Sequence, residues 1–174
     1  EFGLTTVNWM VSDNAGNTET IQQQVSLIDT TIPSITPPND VKTEAVSNNS
    51  NIVEIGIAIS SDNIQLKEIT NDAPEFFPLG ETIVTWTATD TSGNSVSDTQ
   101  LVSVVDTTGP SILELEDIIQ DATSVADNKV ELVKPIADDA ISEIVITNNA
   151  PDVFPFGETV VTWNVEDQSG NVSH

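Results

Sequence analysis

The chain has 174 residues, with 28 acidic side chains against 4 lysines and no arginine, and a formal net charge of −24. Four scattered lysines (Lys42, Lys67, Lys129, Lys134) cannot neutralise a phosphate backbone or an anionic bilayer surface, which excludes nucleic acid and membrane surfaces as partners. Without cysteine, and with His174 as the one histidine, there is no material for thiol redox chemistry, Cys/His zinc sites or His-based triads, and the cations left are hard ones bound by oxygen, calcium above all.

In chain order, Val7, Trp9 and Val11 alternate with polar or flexible residues, and Asp13-x-x-Gly16-Asn17 then offers a turn before a second extended run to Leu27. Residues 1–28 therefore read as a hairpin. A Pro-containing segment opens at Asp29. Val53, Ile55, Ile57 and Ile59 alternate as a strand, Leu66 to Thr70 forms the next, and Val84, Trp86 and Ala88 alternate with threonines in a third. Asp90-x-x-Gly93-Asn94 closes a second hairpin, whose returning strand runs through Val102 and Val104. From Asp106 the pattern starts again and reaches Val161, Trp163 and Val165, then Asp167. One departure stands out: Lys134 and Pro135 fall where Ile57 and Ala58 stand, and proline, lacking an N–H, places that strand at a bulge or an edge.

The chain repeats itself. GLTTVNWMVSDNAGN from Gly3, GETIVTWTATDTSGN from Gly80 and GETVVTWNVEDQSGN from Gly157 are spaced by 77 residues and share seven of fifteen positions. IDTTIPSI from Ile28 matches VDTTGPSI from Val105, and ITNDAPEFFPLG from Ile69 matches ITNNAPDVFPFG from Ile146. This period is too long for a solenoid turn and suits a small domain. Short strands with turns between them and no amphipathic helix predict an all-β fold of tandem immunoglobulin-like β-sandwiches, with the tryptophans as core anchors. The frame divides into residues 1–28, the closing hairpin of a preceding repeat; 29–105, a complete domain; and 106–174, a domain lacking its last strand. It reads as a window on a longer array, with strand supply from a neighbouring chain as the alternative.

DTTGPSI at the domain opening, SSDN after the second strand, FPLGETIVTWTATDTSGN and the terminal VSVVD resemble the hyalin repeat (HYR) family. The resemblance spans essentially the whole chain. It implies an immunoglobulin-like fold, tandem extracellular modules at a cell surface, an adhesive or structural role and no enzymatic activity. Many members carry a cysteine pair, and the cysteine-free form here is similar to versions in bacterial and archaeal surface proteins.

Immunoglobulin-like topology would gather loops at the pole where the chain enters each domain. Asp29, Asp62 and Asp90 would meet in the first domain, and Asp106, Asp138 or Asp139, and Asp167 in the second. Three carboxylates so close repel unless a cation sits among them, and Ca²⁺ takes six to eight oxygens. The competing reading makes them separate turn caps. Asp98, Glu114, Glu116, Asp117, Asp121, Glu131 and Glu143 read as a solvated acidic face, suited to saline surroundings. Asn48 and Asn171 head N-x-Ser sequons. The expected function is a structural stalk, filament or surface-layer component, partnered by neighbouring repeats and like chains. An adhesin or glycan-binding module, with Phe76, Phe77, Phe154 and Phe156 as its aromatic candidates, and an accessory region of a secreted enzyme are the rivals.

Overall fold

A computed structural model describes residues 3–174, and among them every regular element is a strand. In chain order these are β1 (Gly3–Ser12), β2 (Thr18–Leu27), β3 (Ser34–Thr36), β4 (Val41–Glu44), β5 (Ile59–Ser61), β6 (Leu66–Asn71), β7 (Gly80–Asp90), β8 (Ser95–Val105), β9 (Ser111–Ile112), β10 (Ala137–Asp138), β11 (Ile144–Asn148), β12 (Trp163–Asp167) and β13 (Val172–Ser173). Two compact units can be distinguished: one takes in residues up to Asn39 with 56–73 and 84–100, the other residues 40–55, 74–83 and 101–174. These units cut across the 77-residue frame.

In the first unit β1 and β2 form an antiparallel hairpin in register from Gly3↔Leu27 to Ser12↔Thr18. β3 pairs with β5, and β6 pairs antiparallel with β7, with a bulge between Leu66 and Glu68. The alternation read from the sequence holds in β7: Val84, Trp86 and Ala88 are buried and the intervening threonines are half-exposed. The Trp86 indole N–H donates to Gln100 Oε1 at 3.1 Å, and Gln100 Nε2 donates to the Asn39 carbonyl at 2.8 Å, so a buried amide is satisfied on both sides. Trp9 makes the same bond to Gln23 Oε1, at 3.0 Å, yet is 59% exposed. Its expected role as a core anchor fails because β1 pairs with β2 alone and the described residues place no second layer over it.

The predicted strand from Val53 to Ile59 shrinks to the three residues of β5. Gly56 has φ +82°, which breaks the period of two, so that Ala58 turns inward at 4% exposure while Ile57 and Ile59 stand 86% and 75% exposed. Pro135 occupies the buried position equivalent to Ala58. Both copies are irregular just before this point, so the proline costs no ladder bond, and the irregularity belongs to the repeat and not to Pro135.

In the second unit β4 runs parallel to β8, from Val41↔Val102 to Glu44↔Val105, and it completes the sheet order β4-β8-β7-β6. β9 pairs with β10, and β11, β12 and β13 form a three-stranded antiparallel sheet. Val102, Val104 and Val165 are fully buried. Two asparagines organise this unit. Asn51 Oδ1 accepts from the Val46 and Ser47 N–H groups, and its Nδ2 donates to the Ser47 and Phe77 carbonyls. Asn128 repeats the pattern 77 residues on, with Thr123, Ser124 and Phe154.

Candidate metal centre

The Asp-x-x-Gly-Asn segments each build one turn. Asp90 Oδ1 accepts from the Ser92 and Asn94 N–H groups at 2.9 and 2.8 Å, and Asn94 Nδ2 donates to Asp90 Oδ2 at 2.8 Å. Gly93, at φ +91°, lets the chain reverse. Asp13 with Ala15 and Asn17, and Asp167 with Asn171, form the same contacts. The Asp13 turn is exposed and stands apart from any carboxylate cluster found, so the turn forms without one.

At Asp90 and Asp167 the turn is joined by two further carboxylates. Ligand oxygens of Asp29, Asp62 and Asp90 lie within 4.8 Å of one another, as do those of Asp106, Asp139 and Asp167. Asp62 and Asp139 are held by turns of their own: Asp62 Oδ2 accepts from the Ile64 and Gln65 N–H groups, and Asp139 Oδ1 from those of Ile141 and Ser142. Asp29 Oδ1 accepts from Thr31 N–H, and Asp106 Oδ1 from Thr108 N–H. Asp138, the sequence alternative to Asp139, lies on β10 opposite Ser111, one residue ahead of the loop that supplies the cluster.

The two clusters differ in what remains unsatisfied. Asp29 Oδ2 and Asp62 Oδ1 are buried with no hydrogen-bond partner among the described residues. In the second cluster Ser169 Oγ donates to Asp106 Oδ2 at 2.9 Å. Ca²⁺ binds oxygens at about 2.3–2.6 Å, so two ligands across one ion stand ~5 Å apart, which the observed spacing fits. Burial opposes ionisation of Asp90 and Asp167, but the Asn94 and Asn171 side chains and the turn N–H groups outweigh it and hold both carboxyls below the ordinary value. Both are therefore charged at neutral pH. The ion pair observed among the described residues, Lys67–Glu68, involves none of these carboxylates.

What sequence reasoning missed is the tie that Asn94 and Asn171 make to the segment opening each repeat. Beyond closing the turn, Asn94 Nδ2 donates to the Asp29 carbonyl at 3.2 Å, and Asn171 Nδ2 to the carbonyls of Asp106 and Thr108 at 3.2 and 3.3 Å. The signal was the Asn that ends all three copies of the turn. Asn171, which also heads a sequon, thus has its side-chain nitrogen engaged with the turn and the linker. Asn48 is exposed and borders a cleft of about 370 Å³ formed with the 139–143 loop and Gln168. Asp98, Glu114, Glu116, Asp117, Asp121, Glu131 and Glu143 are all exposed. Of the aromatic candidates, Phe77 is buried, Phe154 is half-buried, and the exposed Phe76 and Phe156 occupy non-equivalent positions of the repeat.

The fold, the repeat and these acidic clusters define a tandem array of immunoglobulin-like β domains. The HYR domain model matches residues 28–104 and 105–174, and the chain belongs to that family. It is similar to hyalin of Lytechinus variegatus (35% identity over 97% of this chain and 35% of that protein) and to hyalin of Strongylocentrotus purpuratus (35% identity, 98% and 16%). It is also similar to the sushi, von Willebrand factor type A, EGF and pentraxin domain-containing protein 1 of Rattus norvegicus (33% identity, 82% and 4%). The chain thus spans about a third or less of the length of these relatives. No solved structure gives a significant match.

Proposed function

We propose that this chain is a segment of a structural, non-catalytic extracellular repeat protein, a stalk, filament or surface-layer component at a cell surface, whose domain junctions are stiffened by calcium. The observation that carries the cation reading is the pair of buried, unpartnered oxygens, Asp29 Oδ2 and Asp62 Oδ1, beside the ionised Asp90. A buried acceptor without a donor is costly, and a divalent cation would satisfy both oxygens at once. Asp29, Asp62 and Asp90 would hold one ion, and Asp106, Asp139 and Asp167 a second. Calcium would supply positive charge there and take its coordination from these oxygens, and the chain's part is to fix its carboxylates in turns ahead of binding. Asp29 and Asp106 open their repeats, so tethering them to the loops of Asp62 and Asp139 would restrict the entry of the chain into each domain. Membership of the HYR family and the strong negative charge support the extracellular setting and partnership with neighbouring repeats and like chains. The non-equivalence of Phe76 and Phe156 weighs against a repeated glycan-stacking platform. Asn48 is the sequon that the geometry favours for a glycan.

The test is a thermal melt with small-angle scattering in calcium, in matched magnesium and in EDTA. One site at a hundredfold excess over Kd adds about 2.7 kcal/mol, or roughly 5–10 °C for a protein of this size. A calcium-specific rise with a stiffer particle is expected, and an equal response to magnesium would return the carboxylates to turn capping.

A further inference from the structure

The Asp106–Thr108 segment, which opens the second family match, is held from both sides without any ion. Upstream, the parallel ladder of β4 and β8 ends at Glu44↔Val105, and Ala45 N–H donates to the Val105 carbonyl at 2.7 Å. Just beyond the ladder, Glu44 takes three donors from the next residues of the chain. Thr107 N–H donates to Oε1 at 2.7 Å, Thr107 Oγ1 to Oε2 at 2.9 Å, and Thr108 Oγ1 to Oε1 at 3.3 Å. From the second repeat, Ser169 Oγ donates to Asp106 Oδ2, and Asn171 Nδ2 to the carbonyls of Asp106 and Thr108. Gly109 completes the contact, since a Cβ there would lie 3.0 Å from Ser173 Oγ.

We infer that Glu44 pins a cation-independent interlock, in which an acid of one repeat holds the Asp-Thr-Thr segment that opens the next. Both carboxylate oxygens are used, and the donors come from adjacent residues, so the linker is fixed in direction as well as position. The Thr107 N–H, then the two hydroxyls, hold the Glu44 carboxyl below its ordinary value, which keeps the pin charged. The parts recur in the sequence: Asp-Thr-Thr stands at residues 29–31 and 106–108, and Asp121 occupies the position of Glu44 one period on. This inference goes beyond the calcium reading and needs no cation.

The experiment is ¹⁵N relaxation on the whole chain in EDTA, comparing wild type with Glu44→Ala, Glu44→Gln and Thr107→Val. For the wild type, order parameters at residues 106–108 should match those of the flanking strands, near 0.85, and Glu44→Ala should lower them below about 0.6. Thr107→Val, which removes one hydroxyl donor and no charge, should give an intermediate value and carries the test should Glu44→Ala fail to fold. Thermal melts accompany each variant, so that a change confined to the linker is separated from general destabilisation. Linker order parameters already below 0.6 in the wild type, or unchanged in Glu44→Ala and Thr107→Val, would overturn the interlock. Because calcium is absent throughout, the result is independent of whether the carboxylate clusters bind it.

Discussion

Asn94 Nδ2 donates to Asp90 Oδ2 at 2.8 Å and to the Asp29 carbonyl at 3.2 Å, so one side-chain amide closes a turn and ties it to the segment that opens the domain. The turn and the acidic cluster therefore share their central carboxylate, and separating their contributions calls for the copy of the turn that has no cluster.

That copy is Asp13. Asp13→Asn should leave a calcium-dependent rise in melting temperature intact, whereas Asp90→Asn should remove the part contributed by the first site. Asp90→Asn should also lower the metal-free melting temperature by a few degrees, because the new amide would face Asn94 Nδ2 with donor against donor. Melts of the two variants with and without calcium test this, and equal calcium responses would detach Asp90 from any ion.

The pH dependence in EDTA follows from the same turns. Asp90 and Asp167 have folded values below the 3.8 of the free carboxyl, so their stabilisation is complete above that value and is lost as pH falls through the folded value. Ordinary carboxylates protonating towards the isoelectric point of about 4.1 relieve self-repulsion and act in the opposite direction. A stability maximum near pH 4 with a steep fall below 3.8 is expected, and the deficit of Asp90→Asn relative to wild type should shrink in that lower range.

Gln100→Ala should be among the most damaging single changes outside the aliphatic core. It strands the buried Trp86 N–H, at a cost of about 1–3 kcal/mol for a buried group left unpaired, and also removes the part-buried bond to the Asn39 carbonyl. Gln23→Ala, at the exposed equivalent, should stay within about 0.5 kcal/mol. Chemical denaturation with tryptophan fluorescence distinguishes the two, and similar losses would contradict the burial argument.

Gly56→Ala should cost about 1–3 kcal/mol, since an L residue is strained at φ +82° and its Cβ would sit 3.2 Å from Pro38 Cβ. Gly93→Ala has a similar φ of +91° but open space around it, so its loss should be smaller. Denaturant midpoints for both variants check the order.

In a secretory host that attaches N-linked glycans, mass spectrometry should find Asn48 occupied and Asn171 bare. Occupancy at Asn171 would mean that its turn opens often enough to release the amide.

The sequence carried the repeat, the buried face of β7 and the meeting of three aspartates in each repeat, because each leaves a mark at a fixed spacing: alternation for the strand, and recurrence after 77 residues for the turns. It misled where a single backbone angle overrides a pattern. Val53, Ile55, Ile57 and Ile59 look like one face of a strand, and the positive φ of Gly56 that divides them is not written in hydrophobic periodicity. Trp9 shows the converse limit, since its residue type and hydrogen bond are those of Trp86 while its burial depends on layers that local sequence does not encode. Between Asp138 and Asp139 the 77-residue offset from Asp62 already points to Asp139, and the end of β10 at Asp138 agrees. Glu44 was hidden because its partners lie 63 and 64 residues away.

The parallel pairing of β4 with β8 gives the repeat a mechanical character. β4 lies towards the start of its repeat and β8 at the end, and the two point the same way from Val41↔Val102 to Glu44↔Val105. Tension applied through the neighbouring repeats would draw one strand backward and the other forward, sliding them lengthwise. The ladder bonds between them would then be loaded in shear and have to rupture together, whereas a hairpin pulled open at its ends gives way one bond at a time.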